Sequence, residues 1–263
     1  MGSLSDYSEK AVLDHILKVN PFSQPTNLYI GLSKTDPLDN GSGILEPSGG
    51  GYERILCNSW TVGSRLAYNT SAVTFPVATD DQGTLTHFFV ADADVAGNMI
   101  SHGLLSEPKT ILNGKQLSLS AGKLRIFFKT GGISNYLADL MLAHIFKGAP
   151  YTAPTDIYIA LATDEIQDSD TGSTITEPSA ASYDRVVANA WNAASLGAGQ
   201  SNNDGDINFA VAVQAFGTLV DFALIDASSA GNMMVYGSLD SAQIGVIGSE
   251  FQFLDETLVI ALS

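Results

Sequence analysis

The amino-acid sequence repeats itself once, in the same order, over nearly all of its 263 residues. The offset between the copies grows from 129 to 131 and 134 in stretches rich in Gly, Ser, Asp and Asn, where loops accept insertions. A period of about 130 residues is domain-sized and too long for a solenoid repeat. We therefore predict two tandem domains, 1–132 and 133–263. The matched segments include 15–18 with 144–147, 46–48 with 177–179, 52–54 with 183–185 and 97–99 with 231–233.

Each copy is predicted to open with one α-helix. In the second copy Ser134 is the expected N-cap and Gly148 the expected stop. In the first copy Ser5 is the expected N-cap, and Asn20-Pro21 is expected to end the helix. Apolar and β-branched runs then alternate with turn residues, which predicts strands. The expected strands are 27–33, 52–60, 72–77, 84–91, 98–105, 116–120 and 123–129, repeated at 156–162, 183–191, 206–213, 218–225, 232–239, 249–254 and 257–262.

This order of elements predicts a mainly β protein built as two tandem antiparallel β-sandwich domains of jelly-roll type. About seven short strands follow each helix, and no βαβ rhythm is present, so a doubly wound sheet is not expected. The dipeptides Asn113-Gly114 and Ala121-Gly122 are predicted hairpin turns.

Charge and composition narrow the function classes. The formal net charge is −16, with 12 basic against 28 acidic residues, which argues against a nucleic-acid binder. No apolar run is long enough for a membrane helix, and the first residues do not have a signal-peptide pattern. The single cysteine, Cys57, faces Ala188 in the second copy, so we expect a small buried side chain and not a metal ligand.

The histidines are the first candidates for chemistry. His15 and His144 match between the copies, on the inner side of each predicted helix. We interpret each as a half-buried side chain bonded to a carbonyl. Since His87 and His102 have no counterpart, we expect no zinc site, no metal and no cofactor.

Two acids raise the alternative of a glycosidase, which needs two carboxylates facing one sugar. Glu46 and Glu177 match between the copies, and Asp36 and Glu165 are their candidate partners. The repeated Tyr-acid-Arg segments at 52–54 and 183–185 instead favour structural ion pairs made by their arginines. We predict no catalytic residue.

The acidic loops 164–170 and 202–206 leave a calcium site open as an alternative, although neither has EF-hand spacing. Trp60 and Trp191 match as well, and we expect them to pack in the core instead of stacking on sugars. The matched residues are thus of scaffold type, and the copies differ in their loops.

The ordered motifs resemble a family of small virion proteins of tailed phages, labelled tail-fibre or minor structural proteins. Each copy runs from a helix with His through Pro-Thr, Glu-Pro-Ser, Tyr-x-Arg, Asn-x-Trp and Asp-Ala to Gly-Asn-Met. The resemblance covers nearly all of both copies and implies a place in the virion, a β-sandwich-like domain and no catalytic residues. The family usually carries this domain once.

The two copies carry very different charge. Ten Lys/Arg against twelve Asp/Glu give residues 1–132 a formal charge of −2, while two against sixteen give residues 133–263 a charge of −14. Contact surfaces shed excess like charge, so we expect residues 1–132 to dock onto other virion proteins, in tail or head, and the second copy to face solvent. Self-association is a further expectation, and a calcium-dependent lectin that binds host glycans is the alternative.

Overall fold

A computed structural model describes residues 2–197 and 199–262. We call residues 2–132 the first half and residues 133–262 the second half. The first half contains α1 (Asp6–Ile16) and the strands β1 (Gly2–Leu4), β2 (Tyr29–Ser33), β3 (Ile55–Leu56), β4 (Trp60–Gly63), β5 (Leu66–Asn69), β6 (Val73–Thr74), β7 (Gly83–Ala91), β8 (Met99–Ile111), β9 (Ser118–Leu119) and β10 (Arg125–Phe127). The second half contains α2 (Asn135–Phe146) and the strands β11 (Tyr158–Ala162), β12 (Val186–Val187), β13 (Gln200–Asn202), β14 (Ile207–Asn208), β15 (Gly217–Ile225), β16 (Met233–Gly245), β17 (Gln252–Phe253) and β18 (Val259–Ala261).

Eight strands of the first half form one mixed sheet, in the order β3-β2-β7-β8-β1-β10-β5-β4. The short strand β1 joins its two parts, because it pairs antiparallel with β8 and parallel with β10. In the second half the corresponding residue, Ile133, makes a single bridge to Val235. The sheet β12-β11-β15-β16 and the pair β13-β18 therefore stay separate there.

The protein is mainly β with one helix near the start of each half, as the sequence predicts. The expectation of two purely antiparallel jelly-roll sandwiches needs correction, because β1 draws most first-half strands into one sheet with a parallel pair. Around Asn113-Gly114 and Ala121-Gly122 the predicted turns form, closed by bonds from Lys115 to Leu112 and from Lys123 to Ser120. Neither is a hairpin, since β9 pairs with β6 and not with β8 or β10.

Each helix begins at a serine that also ties it to the sheet. Ser5 Oγ accepts the Ser8 N–H at 3.3 Å and donates to the carbonyl of Met99. Ser134 Oγ accepts the Leu137 N–H at 3.1 Å and donates to the carbonyl of Met233 at 2.5 Å. Both predicted N-caps are confirmed.

The two helices end differently. Gly148, with φ +62°, ends α2 as predicted, and the Ala149 N–H bonds back to the Ala143 carbonyl. The first helix already ends at Ile16, before Asn20-Pro21, because Lys18 takes the left-handed conformation with φ +65°.

One buried apolar cluster runs through both halves. It combines Leu13 of α1 and Ile126 of β10 with Leu137 of α2 and Ile260 of β18. Each helix packs on its own half and on the other: α1 lies against β8 and β13, and α2 lies against β16, β4 and β5. The halves therefore share a core, and the histidine pair and the Arg65 contacts described below lie along their common boundary.

Candidate functional site

The matched Tyr-acid-Arg segments build the same ion pair in each half. Arg54 Nη2 lies 2.8 Å from Glu46 Oε2, and Arg185 Nη2 lies 2.7 Å from Glu177 Oε2. Tyr52 donates its hydroxyl to Glu46 at 2.7 Å, and burial raises the pKa of this tyrosine well above its usual value. The predicted structural ion pairs are confirmed.

The same arginines close a loop in each half. Arg54 donates to the carbonyls of Ala93 and Ala96, and Arg185 donates to those of Ala227 and Ala230. The loop contains the Gly-Asn-Met motif. Gly97 has φ +74° there, and a Cβ on it would lie 2.5 Å from Asp92 Oδ1. The matched glycine and arginine are thus explained by one loop that needs both.

These contacts bear on the glycosidase alternative. Glu46 and Glu177 each form an ion pair with an arginine and accept a hydrogen bond from a tyrosine hydroxyl. Asp36 instead lies 3.9 Å from His87 and from His102. The backbone N–H of Glu165 bonds to the carboxylate of Asp164. Glu46, Glu177 and Asp36 are thus in structural contacts with other side chains.

His15 and His144 meet at the boundary between the halves. Their rings stack with centroids 5.1 Å apart. His15 Nε2 lies 3.0 Å from the carbonyl of Tyr151, and His144 Nε2 lies 2.9 Å from that of Phe22. The predicted bond to a carbonyl is confirmed, but in each case the carbonyl belongs to the opposite half. The histidines therefore join the halves around a local pseudo-twofold axis.

The backbone partners define the protonation state of both rings. His15 Nδ1 accepts the Phe22 N–H at 3.1 Å, and His144 Nδ1 accepts the Tyr151 N–H at 3.0 Å. Each Nε2 must then carry the proton that it donates, so both rings are neutral. Burial lowers the pKa of His144, and the bond to the Phe22 carbonyl offsets part of this effect.

The tryptophans pack in the core, as predicted. Trp60 is 5% exposed and Trp191 is 6% exposed, and their indole N–H groups donate to the carbonyls of Cys57 and Ala188. Trp60 also contacts Phe146 of α2, with ring centroids 4.7 Å apart. Cys57 and Ala188 are both buried, in agreement with the expected small side chain.

Carboxylates of the two acidic loops bind protein groups. Asp170 accepts the Gln167 N–H and the Thr174 hydroxyl, and Asp206 accepts the Asp255 N–H. Among residues 2–197 and 199–262, no three His, Cys, Asp or Glu side chains come together as metal ligands. Within the same residues, every helix is too short or too polar to cross a membrane.

Arg65, which the sequence analysis did not single out, binds the segment that links the halves. Its guanidinium donates to the carbonyls of Lys129 and Ile133, and Nη1 lies 3.7 Å from Asp168 Oδ1. Asp168 in turn accepts the N–H of Gly131 and the hydroxyl of Tyr236. Arg65 is 8% exposed, so this cluster, which we call the Arg65 socket, is buried at the boundary.

Backbone amides also bind a helix carboxylate of the opposite half. Asp139 of α2 accepts the N–H groups of Ser64 and Arg65, and Asp14 of α1 accepts that of Ala194 at 2.7 Å. Repeat matching missed Arg65, Asp139 and Asp168, since their counterparts in the other copy are different residues or lie in stretches without motifs.

Comparison with known proteins agrees with this duplicated architecture. The family model described as podophage GP4 fiber I protein gp80 matches the chain twice, over residues 3–126 and 132–261. No curated protein matches the chain. The two matches confirm both the resemblance to tailed-phage virion proteins and the tandem duplication. The chain belongs to the podophage GP4 fiber I protein gp80 family and is a structural fibre protein of a phage virion.

Proposed function

We propose that this fibre protein is non-catalytic and attaches to neighbouring virion proteins through its first half, while its second half faces solvent. The observation that carries the proposal is the unequal charge of two halves with matching scaffolds, −2 against −14. Only two basic residues lie in the second half, and one of them, Arg185, is used inside the fold. The other, Lys147, is exposed.

A patch of the first half has the composition of a contact surface. Leu104, 61% exposed, lines one small pocket at β8 with Lys109 and Lys123, and Glu107 at the same pocket is paired with Lys109. Their counterparts at the offset of 134 are Ser238, Gln243 and Thr257, which are small or neutral. An exposed leucine with two lysines and one glutamate around it has a net positive surrounding, which suits a partner with an apolar centre and an acidic rim. We call Leu104, Lys109 and Lys123 the β8 patch.

The duplication adds a second element to the proposal. The halves form a covalent pseudo-dimer that can span neighbouring positions in an assembly at high effective concentration, including positions held by other copies of this chain. The proposal also takes each half as one sandwich-like unit, divided at residues 132 and 133. Support comes from equivalent β-bulges, between Leu85 and His87 in β7 and between Leu219 and Asp221 in β15.

The test uses the full-length chain, because the shared core makes isolated halves a poor reference. Particles lacking this protein are incubated with the wild type and with the double variant Lys109→Glu/Lys123→Glu. We expect the variant to lose at least about tenfold in particle binding, since a repelled rim charge costs about 1–2 kcal/mol or more. The matched control, Gln243→Glu/Thr257→Glu, adds two negative charges at the equivalent surface of the second half and should bind as the wild type does.

Equal loss in both variants would show that attachment does not prefer the first half, and loss in the control alone would assign it to the second half; either result would refute the proposal. The non-catalytic part is tested separately. Host capsule and lipopolysaccharide incubated with the protein should release no reducing sugar, and release that Glu46→Gln or Glu177→Gln abolishes would overturn it.

A further inference from the structure

The Arg65 socket has a counterpart at the other side of the pseudo-twofold axis. Arg65 follows β4 with φ +62°, and its carbonyl accepts the N–H of Phe128. Gly199 precedes β13 with φ +53°, and its carbonyl accepts the N–H of Leu262. Both pairs differ by 134 residues, so Gly199 stands where the first half has Arg65.

The acceptors around the two positions are also equivalent. In the Arg65 socket, Asp168 is bonded at 2.7 Å to the hydroxyl of Tyr236 and gives its carbonyl to the N–H of Asn135. At the other side, Asp39 is bonded at 2.7 Å to His102 Nε2 and gives its carbonyl to the N–H of Asp6. The aspartate beside the Arg65 guanidinium therefore has a counterpart, with equivalent partners, on the other side.

The two sides differ in what fills that framework. Next to Gly199 lies a cavity of about 310 Å³, lined by Leu4, Asp6, Glu9, Asp39 and Leu262 among others. Gly199 adjoins it through Glu9 and Leu262, since a Cβ on Gly199 would lie 2.7 Å from an atom of each. Asp6 replaces Asn135 and Glu9 replaces Ala138, while no arginine is supplied at Gly199. The side with Gly199 thus has two carboxylates that the Arg65 side does not have, and it has no guanidinium of its own.

The carboxylates in this cavity affect one another. Burial, Asp39 and Asp6 raise the pKa of Glu9 to about 7, and Lys129 on the rim acts in the opposite direction. One exposed lysine does not balance three acids. The three acids also do not group as metal ligands. Carboxylates spread around a cavity fit a flat, delocalised cation that donates in several directions better than a metal ion.

We propose that this cavity, which we call the Gly199 cavity, binds the guanidinium of an arginine side chain from a neighbouring virion protein. Asp6 and Asp39 take the places that Asn135 and Asp168 have around Arg65, and Glu9 supplies the further negative charge. The Arg65 socket provides the independent observation, since Asn135 Oδ1 there accepts a hydrogen bond from the Arg65 guanidinium at 3.3 Å and Asp168 Oδ1 lies 3.7 Å from it. The inference rests on the proposed function only for the source of the arginine.

The direct test titrates N-acetyl-arginine N-methylamide into the full-length protein and follows binding by NMR chemical shifts. We expect a dissociation constant of about 1–10 mM at pH 8, as a single guanidinium with two or three charged partners provides about 3–4 kcal/mol. The citrulline analogue has the same shape without the charge and should bind at least about tenfold more weakly. Equal binding of the two compounds, or no saturable shift with the arginine compound, overturns the proposal.

Variants assign the binding to the cavity. Glu9→Gln/Asp39→Asn should weaken binding of the arginine compound at least about tenfold. Lys129→Met should strengthen it, because it removes the competing ammonium group from the rim. Glu250→Gln removes one exposed carboxylate of the second half and is the matched control, with binding unchanged. If Glu9→Gln/Asp39→Asn binds as the wild type does, while its amide spectrum shows a native fold, the assignment to this cavity is refuted.

The two proposals fail in different ways. Lys109→Glu/Lys123→Glu should lose particle binding and still bind the arginine compound. If the arginine compound does not bind while particle attachment still depends on the β8 patch, the Gly199 cavity is refuted and the attachment proposal stands. If the arginine compound binds as described but Lys109→Glu/Lys123→Glu does not affect particle attachment, the attachment proposal fails and the cavity remains a guanidinium site.

Discussion

Arg54 and Arg185 show which residues can be interpreted from the sequence alone. Both recur at one point of the repeat in a chain with few basic residues, and a buried arginine needs a carboxylate, so an ion pair at each arginine was predictable. That the partners are Glu46 and Glu177 came only from the structure. The role of Arg65 was not predictable, because the other copy has glycine at that position. Repeat matching finds what both halves need and overlooks what only one half uses.

Replacing Arg185 should be more damaging than replacing Arg54. The side chain of Arg185 is 3% exposed against 10% for Arg54, and Arg185 also donates to the Gly172 carbonyl. We expect Arg185→Leu to lower the free energy of unfolding by about 3 kcal/mol, since it leaves Glu177 and three carbonyls without their donor. Arg54→Leu should cost less. Urea denaturation measures both, and a larger loss for Arg54→Leu would contradict the prediction.

His144 should make stability depend on pH. Burial lowers the pKa of His144 in the folded chain. Above about pH 6.5 the His144 ring is therefore neutral in both the folded and the unfolded chain, and it does not reduce stability. As the pH falls below about 6.5, the unfolded chain takes up a proton that the folded chain resists, and stability decreases by up to about 1.4 kcal/mol per pH unit. The groups facing His144 are His15 and Gln24, and Tyr151 lies against His15.

The measurement is the free energy of unfolding between pH 5 and 8 for the wild type and His144→Gln. The variant should be less stable at pH 8 but should have a flatter profile. Burial also lowers the pKa of His87, which acts in the same direction, so His87→Gln is the control. A profile flattened by His87→Gln and unchanged by His144→Gln would show that the boundary histidines do not cause the effect.

At the scale of elements, the helix starts were predictable and the strand limits were not. Ser5 and Ser134 are caps because their hydroxyls satisfy an open backbone N–H, a local requirement that a sequence displays. The strands β1, β5 and β13 were missed, since each is only three or four residues long and is defined by distant partners. The helix α1 ended early through the left-handed Lys18, for which lysine gives no signal.

The caps give a prediction at this scale. Ser134→Ala removes both the bond that caps α2 and the bond to the Met233 carbonyl, so we expect a loss of about 1–2 kcal/mol in unfolding free energy. Ser5→Ala should show a similar loss. Ser59→Ala, at an exposed position, is the control and should change stability by less than about 0.5 kcal/mol. Thermal and urea unfolding measure all three, and a wild-type value for Ser134→Ala would be the contrary result.

For the molecule as a whole, the repeat indicated two units but not how closely they are joined. Sequence periodicity describes each copy by itself. The packing of each helix against the opposite half depends on surfaces that meet only after folding, so periodicity does not reveal it. The division into 1–132 and 133–263 stays a prediction. The continuous apolar cluster and the contact between Trp60 and Phe146 lead us to expect that the halves unfold together.

Phe146→Ala tests this coupling. Phe146 is 2% exposed and belongs to α2, yet its ring lies against Trp60 of the first half. The substitution should cost about 3–5 kcal/mol and should shift the unfolding of both halves equally. Fluorescence of Trp60 in a Trp191→Phe background, and of Trp191 in a Trp60→Phe background, reports each half. Two separate transitions, with only the second half shifted, would refute the coupling.

Joining the copies in one polypeptide has a consequence for how they can diverge. When two identical chains pair about a twofold axis, every substitution appears on both sides, and a change that helps one side is imposed on the other. Here one side has Arg65 and the other has Gly199 with Glu9, which no pair of identical chains could achieve. The fused unit therefore has two non-equivalent faces, and a fibre assembled from it can be polar, with two different ends.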